Sequence, residues 1–453
     1  MDTKKKNTNS DNEKKGLNIG AKSFLTAIVI IFALMIMTYG LTFIIPGGDM
    51  PFWKWALSPV LVLGAADSGS LIAVIIFLLV LGGVFNSLDK CGLMKYMLRK
   101  ITFMYGGKKY QLLAVITLFF MAMGSFIGSF EECVPLVPIV VALSVSLGWD
   151  ALVGMGMSLL AAGCGFAAGI CNPFTVGVAQ ELAGLKMFSG MWFRAAAFLL
   201  IYGLLLAFLY CYARRIEKSI ETVSAVSAAG AFARDRQMDK GIVCFVSIVG
   251  VGIALVLSSI WFTVLQDYTM IIVAVMFLVG GVSATLLSGF GIRKLGSTFW
   301  NGLVSILPAV IMILMANSIK YTMTEGGILD VILHGAVGVA QGLPRWAVIL
   351  FIYLIVLAMN FFIPSGSAKA FLMMPLIVPV AQAFGISAQL CVVAYAFGDG
   401  FSNAFYPTNP VLLISLGLAD VNYAVWAKWS GKFQLMNLVL TGVLLWVGLT
   451  IGY

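Results

Sequence analysis

Two adjacent glutamates, Glu131 and Glu132, stand in GSFIGSFEECVPLVP (124–138), inside an otherwise apolar stretch. Lys369 occupies the matching place in NFFIPSGSAKAFLMMP (360–375). Ionisable groups within long apolar runs are costly in a bilayer and mark solute or ion sites. The glutamates begin a helix after a Gly/Ser turn, where a carboxylate is electrostatically comfortable, so capping is one explanation for them. Two carboxylates exceed what capping needs; they could meet a cationic group or carry a proton. A lysine at a helix start opposes the dipole, and capping does not account for it. Lys369 could pair with a glutamate or a solute carboxylate, or extend along its stem to the outer surface. Asp399, in GDG, has no charged neighbour in sequence and is a cation or proton candidate.

Beyond each of these places the chain breaks. GCGFAAGICNPFTVG (163–177) and GDGFSNAFYPTNPVLL (398–413) interrupt apolar runs at Asn172-Pro173 and Asn409-Pro410, 237 residues apart (172 against 409). At that offset Pro138 meets Pro375, Gly148 meets Gly385, Gly163 meets Gly400 and Trp192 meets Trp429. Backbone breaks at membrane depth persist only where they line a cavity or are buried in protein. In matching positions of two halves they point to the central site of a transporter. Their helix ends expose free N–H and C=O groups that can hold a carboxylate and a small cation. The candidate solute-binding residues are Ser125, Ser129, Glu131, Glu132, Asn172, Thr175, Ser365, Ser367, Lys369, Thr408 and Asn409, with Gly124, Gly128 and Gly366 permitting close approach. The ion-coupling candidates are Glu131, Glu132, Asp399 and Asn403. Any one of these serines or asparagines could simply cap or pack a helix. The symmetry of the set carries the functional reading.

The elements that must position these groups follow from composition. Hydrophobic residues make up 61% of the chain and charged ones 10%. With a mean hydropathy of +1.02, this is an all-α polytopic membrane protein. The net charge of +9 resides in short loops, which makes it a topology signal and excludes a nucleic-acid face. Seven cysteines stand singly without metal-type spacing, and His334 is the lone histidine. No resident metal or cofactor is expected, only coupling to Na+ or H+. No Ser/His, paired-Asp or HExxH arrangement suggests an enzyme. A channel built on two opposed loops is a further alternative, opposed by the unlike charge of the two tips.

Basic clusters lie at 1–22, at 90–109, at 214–240 and at Arg293/Lys294; all are expected on the cytoplasmic side. Between the second and third the chain must cross the membrane an even number of times. That parity holds only if 110–147 is one re-entrant hairpin with its tip at 124–132. By the same logic 345–385 is a second hairpin, opposed to the first, with its tip at 361–369. The expected architecture is about nine transmembrane helices plus two opposed re-entrant hairpins in an inverted repeat. The spans are 23–46, 66–86, 150–185, 190–213, 241–263, 268–288, 302–323, 386–418 and 425–451. Amphipathic stretches at 92–106 and 327–342 are expected to be interfacial helices linking scaffold to hairpin. The protein is expected in the cell membrane with its N-terminus cytoplasmic.

The blocks EECVPLVP and GFAAGICNPFTVGVAQ in the first half, with FIPSGSAKAFLMMP and FGDGFSNAFYPTNPVLL in the second, resemble the YfcC-like basic amino acid antiporter family. That family belongs to the ion transporter superfamily, with the anaerobic C4-dicarboxylate carriers and the p-aminobenzoyl-glutamate transporters. The resemblance covers most of the chain beyond residue 23. It implies an elevator-type secondary active transporter, working in a homodimer. The tail is 1–22; scaffold spans and the basic interfacial helix occupy 23–109. Transport-domain halves fall at 110–185 and 345–420. Scaffold and linker fall at 186–240, scaffold and outer interfacial helix at 241–344, and the last scaffold span at 421–453. The solute would lie between the tips, touching Asn172 and Asn409. Sodium sites in relatives use tip polar groups and break carbonyls, whereas GSFIGSFEE here lacks the Ser-Asn-Thr signature of the dicarboxylate/sodium branch. The implied activity is arginine/ornithine-type exchange, with Glu131 and Glu132 meeting the cationic group. The alternative is proton- or sodium-coupled transport of a C4-dicarboxylate or similar organic anion.

Overall fold

The structure is a computed structural model that describes residues 21–45, 47–65, 68–128, 130–186, 188–220, 234–258, 269–328, 331, 335, 338 and 342–453. Among the described residues every regular element is helical. Residues 1–20 of the expected cytoplasmic tail, the centre of the 214–240 linker, most of 327–342, His334 and Ser129 lie outside them. Of Glu131 and Glu132 only the backbone is described.

Uninterrupted apolar sequence gives long helices. α1 (Ala21–Ile44) has 24 residues, roughly 36 Å at 1.5 Å per residue, sufficient for a hydrocarbon core of about 30 Å. Eight helices among the described residues are long and apolar enough to cross a membrane. Four of them are Lys109–Phe126, Ala151–Ala168, Arg345–Phe362 and Gly366–Ala383, from the segments read in the sequence as hairpins or a broken helix.

After α1 come two short helical turns, Phe52–Ala56 and Ser58–Leu61, and then α2 (Ser68–Lys90). The amphipathic α3 (Leu93–Tyr105) follows, within the stretch 92–106. The first hairpin is α4 (Lys109–Ala122), a π turn at Met123–Ile127, a left-handed Gly128, a 3-10 turn at Glu131–Leu136, and α5 (Val137–Ser146). The first broken helix is α6 (Ala151–Ala168), a π turn at Pro173–Gly177, and α7 (Val178–Leu182). α8 (Met191–Ile220), α9 (Arg236–Ser258) and α10 (Thr269–Leu287) lead into the second half. α11 (Ile292–Ser305) comes next, and the expected span 302–323 lies mostly in α12 (Leu307–Glu325), the two divided at Ile306 two residues before Pro308. A proline removes a ladder N–H and crowds the preceding turn, so the helix restarts there.

The second hairpin is α13 (Arg345–Phe362) and α14 (Gly366–Ala383). α13 stops because Ile363 precedes Pro364, which disfavours the helical region, and takes a non-helical conformation, φ −124° and ψ 85°. The second broken helix is α15 (Ala388–Gly400), a 3-10 turn at Phe401–Ala404, and α16 (Pro410–Leu418); α17 (Tyr423–Thr450) ends the fold. Pro173 and Pro410 open matching helices 237 residues apart (173 against 410), as do Ala151 and Ala388. The repeat seen in the sequence is therefore a repeat of structure.

Packing sorts these elements. α2 lies against α10 and α11, α10 against α9, and α1 against α12. A Lys54–Glu325 ion pair fastens the first short turn to the end of α12. Lys100, Arg234 and Tyr96 hydrogen-bond Asp239 at the start of α9, clasping α3 to it. The cations beside it hold the Asp239 carboxyl down at about 2. In the other group, α6 crosses α15, α4 packs on α6, and α13 packs on α15. α8 and α17, scaffold spans by the sequence reading, pack on each other and on α4, α6, α13 and α15. The halves also exchange partners: α14 lies on α7, while α5 and the 131–136 turn lie on α16.

A buried polar junction at the two helix breaks

Asparagine followed by proline builds each break. Asn accepts from backbone N–H groups at a helix start, and proline supplies the preset φ of the first helical position. Asn409 Oδ1 accepts from Val411 N at 2.9 Å; Asn172 Oδ1 accepts from Thr175 N at 3.2 Å. Both side chains are buried. Their capping uses the carbonyl oxygen, so the amide nitrogen is the part that reaches across the site: Asn409 Nδ2 donates to Asn403 Oδ1 at 3.0 Å.

The first tip is sewn onto the first break. Ser125 is fully buried, its Oγ accepting from Ile170 N at 3.0 Å and its carbonyl from Cys171 N at 3.2 Å. Gly128 has φ +77°, and a Cβ there would fall 2.1 Å from Asn172 Oδ1. Only glycine allows both the left-handed turn and that approach.

The second tip holds a charge pair. Lys369 Nζ donates to Asp399 Oδ1 at 2.5 Å, with both side chains 0% exposed. It also donates to Asn360 Oδ1 and, at 3.4 Å, to the Ile363 carbonyl. Asn360 Nδ2 in turn donates to the Asp399 carbonyl (2.9 Å), Ser402 Oγ (2.6 Å) and Asn403 Oδ1 (3.0 Å). Asn403 Nδ2 donates to the Asp399 carbonyl at 2.9 Å. One network thus joins both arms of the second hairpin, the end of α15 and the second break.

The two halves meet at this network. A Cβ on Gly366 would lie 2.4 Å from Thr175 Cγ2 and 2.8 Å from Asp399 Oδ2. A Cβ on Gly400 would lie 2.1 Å from Ala167 Cα, where α15 crosses α6. Tyr395 Oη donates to the Gly366 carbonyl, pinning the tip to α15. Thr175 Oγ1, Asp399 Oδ2 and Thr408 Oγ1 are buried without a hydrogen-bond partner. Such orphaned buried polar atoms are costly and call for an explanation such as a ligand.

The site therefore brings together Asn172, Thr175 and Ser125 on one side with Lys369, Asp399, Asn403 and Asn409 on the other. Ser365 and Ser367 are half-buried; the Ser365 carbonyl accepts from Lys369 N at 3.0 Å in the first turn of α14. Lys369 points inward to Asp399, not outward to the surface. Asp399, isolated in sequence, has this charged partner across 30 residues. Sequence reading overlooked Asn360, Ser402 and Arg194. An Asn within the apolar run AMNFF and an Arg within WFRAAAFLL were the available signals. Arg194 is fully buried and donates through Nε (3.4 Å) and Nη2 (3.1 Å) to the Ile170 carbonyl. A cation there complements the C-terminal end of α6. Among the described residues no cluster of three or more His, Cys, Asp or Glu could hold a metal ion.

A multi-pass helical membrane protein with two matching helix breaks at a buried polar junction is the architecture of a membrane transporter. The chain belongs to the C4-dicarboxylate anaerobic carrier family, DcuC, which matches residues 60–450. It is 27% identical over 400 residues to an Escherichia coli (strain K12) protein named "Putative basic amino acid antiporter YfcC", covering 85% of this chain and 79% of that one. The crystal structure of the Alcanivorax borkumensis YdaH transporter superposes with a TM-score of 0.46 at 17% identity, covering 95% of this chain and 99% of that one. The Neisseria gonorrhoeae MtrF structure, from a class titled antimetabolite efflux pumps, gives 0.45 at 14% identity, covering 94% and 95%.

Proposed function

We propose that this chain is an amino acid antiporter of the cell membrane that exchanges arginine- or ornithine-type basic amino acids. The observation that carries this reading is the pair of orphaned oxygens, Asp399 Oδ2 and Thr175 Oγ1, buried on either side of Gly366. A carboxylate oxygen beside a hydroxyl, both lacking donors, suits an ammonium group. The helix start at Gly366, which has no side-chain cap, offers free N–H groups to the α-carboxylate. Glu131 and Glu132 at the opposite tip receive the guanidinium or second ammonium. The name of the E. coli relative supports the same solute class.

Transport proceeds by an elevator. The helices 109–146 and 345–383 are re-entrant hairpins that move with the broken helices, and α8 and α17 travel with them because their packing partners are these elements. The remaining spans form the fixed scaffold of a homodimer, with the N-terminus cytoplasmic. The second reading is coupled transport of a C4-dicarboxylate or similar organic anion, favoured by the family match and by a lysine set among helix starts. Liposomes containing purified protein and preloaded ornithine distinguish the two. Labelled arginine entering only against internal ornithine, indifferent to sodium or proton gradients, supports exchange. Absent arginine uptake with gradient-driven entry of a dicarboxylate replaces it with the second reading.

A further inference from the structure

Lys369 stands where electrostatics favours a cation for reasons unrelated to lysine. α13 ends at Phe362 and α15 ends at Gly400, so two helix C-termini converge on the Lys369 ammonium. Each contributes partial negative charge at its end, and the Ile363 carbonyl just beyond α13 reaches Nζ directly. Three oxygens reach Nζ: the anionic Asp399 Oδ1, the amide Asn360 Oδ1 and the Ile363 carbonyl, freed by the Pro364 turn. These are the ligand types that hard cations take. Unwound backbone carbonyls at half-helix ends are where transporters hold sodium. The lysine comes from the opposite direction, in the first turn of α14, where its own helix disfavours it. Its three N–H donors match the three oxygens one for one.

We propose that Lys369 is a tethered counter-cation filling an oxygen-lined monovalent cation site, so that this carrier holds within its own chain the positive charge a sodium-coupled carrier takes from solution. The inference does not depend on which solute is carried. Removing the lysine leaves Asp399 as a buried, uncompensated charge, and the vacated trio takes a free sodium ion instead.

The test measures equilibrium binding of 22Na+ to detergent-purified protein, without added solute. Lys369→Ala is expected to bind one ion per protomer saturably, at least about tenfold more tightly than the wild type. The double variant Lys369→Ala/Asp399→Asn is expected to lose that binding. Wild-type protein whose sodium binding disappears in Asp399→Asn alone would overturn the proposal, since the lysine would then not be the occupant. A folded, monodisperse Lys369→Ala that binds no sodium from mildly acidic to mildly alkaline pH overturns it too. If Lys369→Ala is not recovered, Lys369→Met, which keeps the apolar stem, is purified in sodium chloride and in choline chloride. Recovery only in sodium chloride supports the site; equal loss in both salts refutes it.

Discussion

Gly366→Ala places a methyl group at the junction itself, and its consequence can be worked from the structure. The new carbon would lie 2.4 Å from Thr175 Cγ2 and 2.8 Å from Asp399 Oδ2. Non-bonded carbons rest about 3.5–4.0 Å apart, so the tip or Thr175 must retreat by about 1 Å. Thr175 and Asp399 are both fully buried, and the tip is pinned by Tyr395. Overpacking of that kind costs about 1–3 kcal/mol. The penalty falls on the state in which the second tip is docked against the first break. Exchange at subsaturating solute should fall by about fivefold to 150-fold, the equivalent of that energy, and thermal stability should fall with it. Counterflow in proteoliposomes and a melting curve of the purified protein read the two effects. Gly203→Ala, in α8 with no atom within 4 Å of its new Cβ, is the control: it should leave exchange unchanged and hold or slightly raise stability, since alanine is the better helix former. Wild-type exchange and stability in Gly366→Ala would refute the seating of the second tip between Thr175 and Asp399, and with it the solute site.

Glu131→Gln and Glu132→Gln are expected to abolish exchange of arginine while leaving the melting temperature unchanged; near wild-type exchange in both removes the tip glutamates from the solute model. Asn172→Ala and Asn409→Ala each lose a helix cap worth about 1 kcal/mol and should weaken binding in an equilibrium titration, whereas unaltered binding in both would move the solute away from the breaks. Asp239 titrates at about 2 in the folded chain against an ordinary 3.8. A folded pKa below the unfolded one contributes stability that is full above the unfolded value and lost as pH falls through the folded one. Melting temperatures should therefore drop between pH 3.8 and about 2 more steeply in the wild type than in Asp239→Asn; parallel curves would show that the Lys100–Asp239–Arg234 clasp contributes nothing.

What the sequence determined by itself was local. Proline without an N–H, glycine free at positive φ, and asparagine able to cap its own chain end helices wherever they occur, and so the breaks at Asn172-Pro173 and Asn409-Pro410 and the turn at Gly128 were legible residue by residue. The repeat was legible for the same reason, because each half carries the same local devices at one offset. The Pro308 division between α11 and α12 was equally local, yet an unbroken apolar run concealed it. What only the tertiary structure decided was which polar groups face one another. Lys369 and Asp399 read as two separate charges, and spacing along the chain cannot say that α14 and α15 turn them inward to a 2.5 Å contact. Asn360, passed over in the sequence, proved to be the hub joining both hairpin arms to the break. Arg194 meets the Ile170 carbonyl because α8 packs against the end of α6. Burial turns such contacts from incidental into necessary, since a charge removed from water must find its partner within the fold.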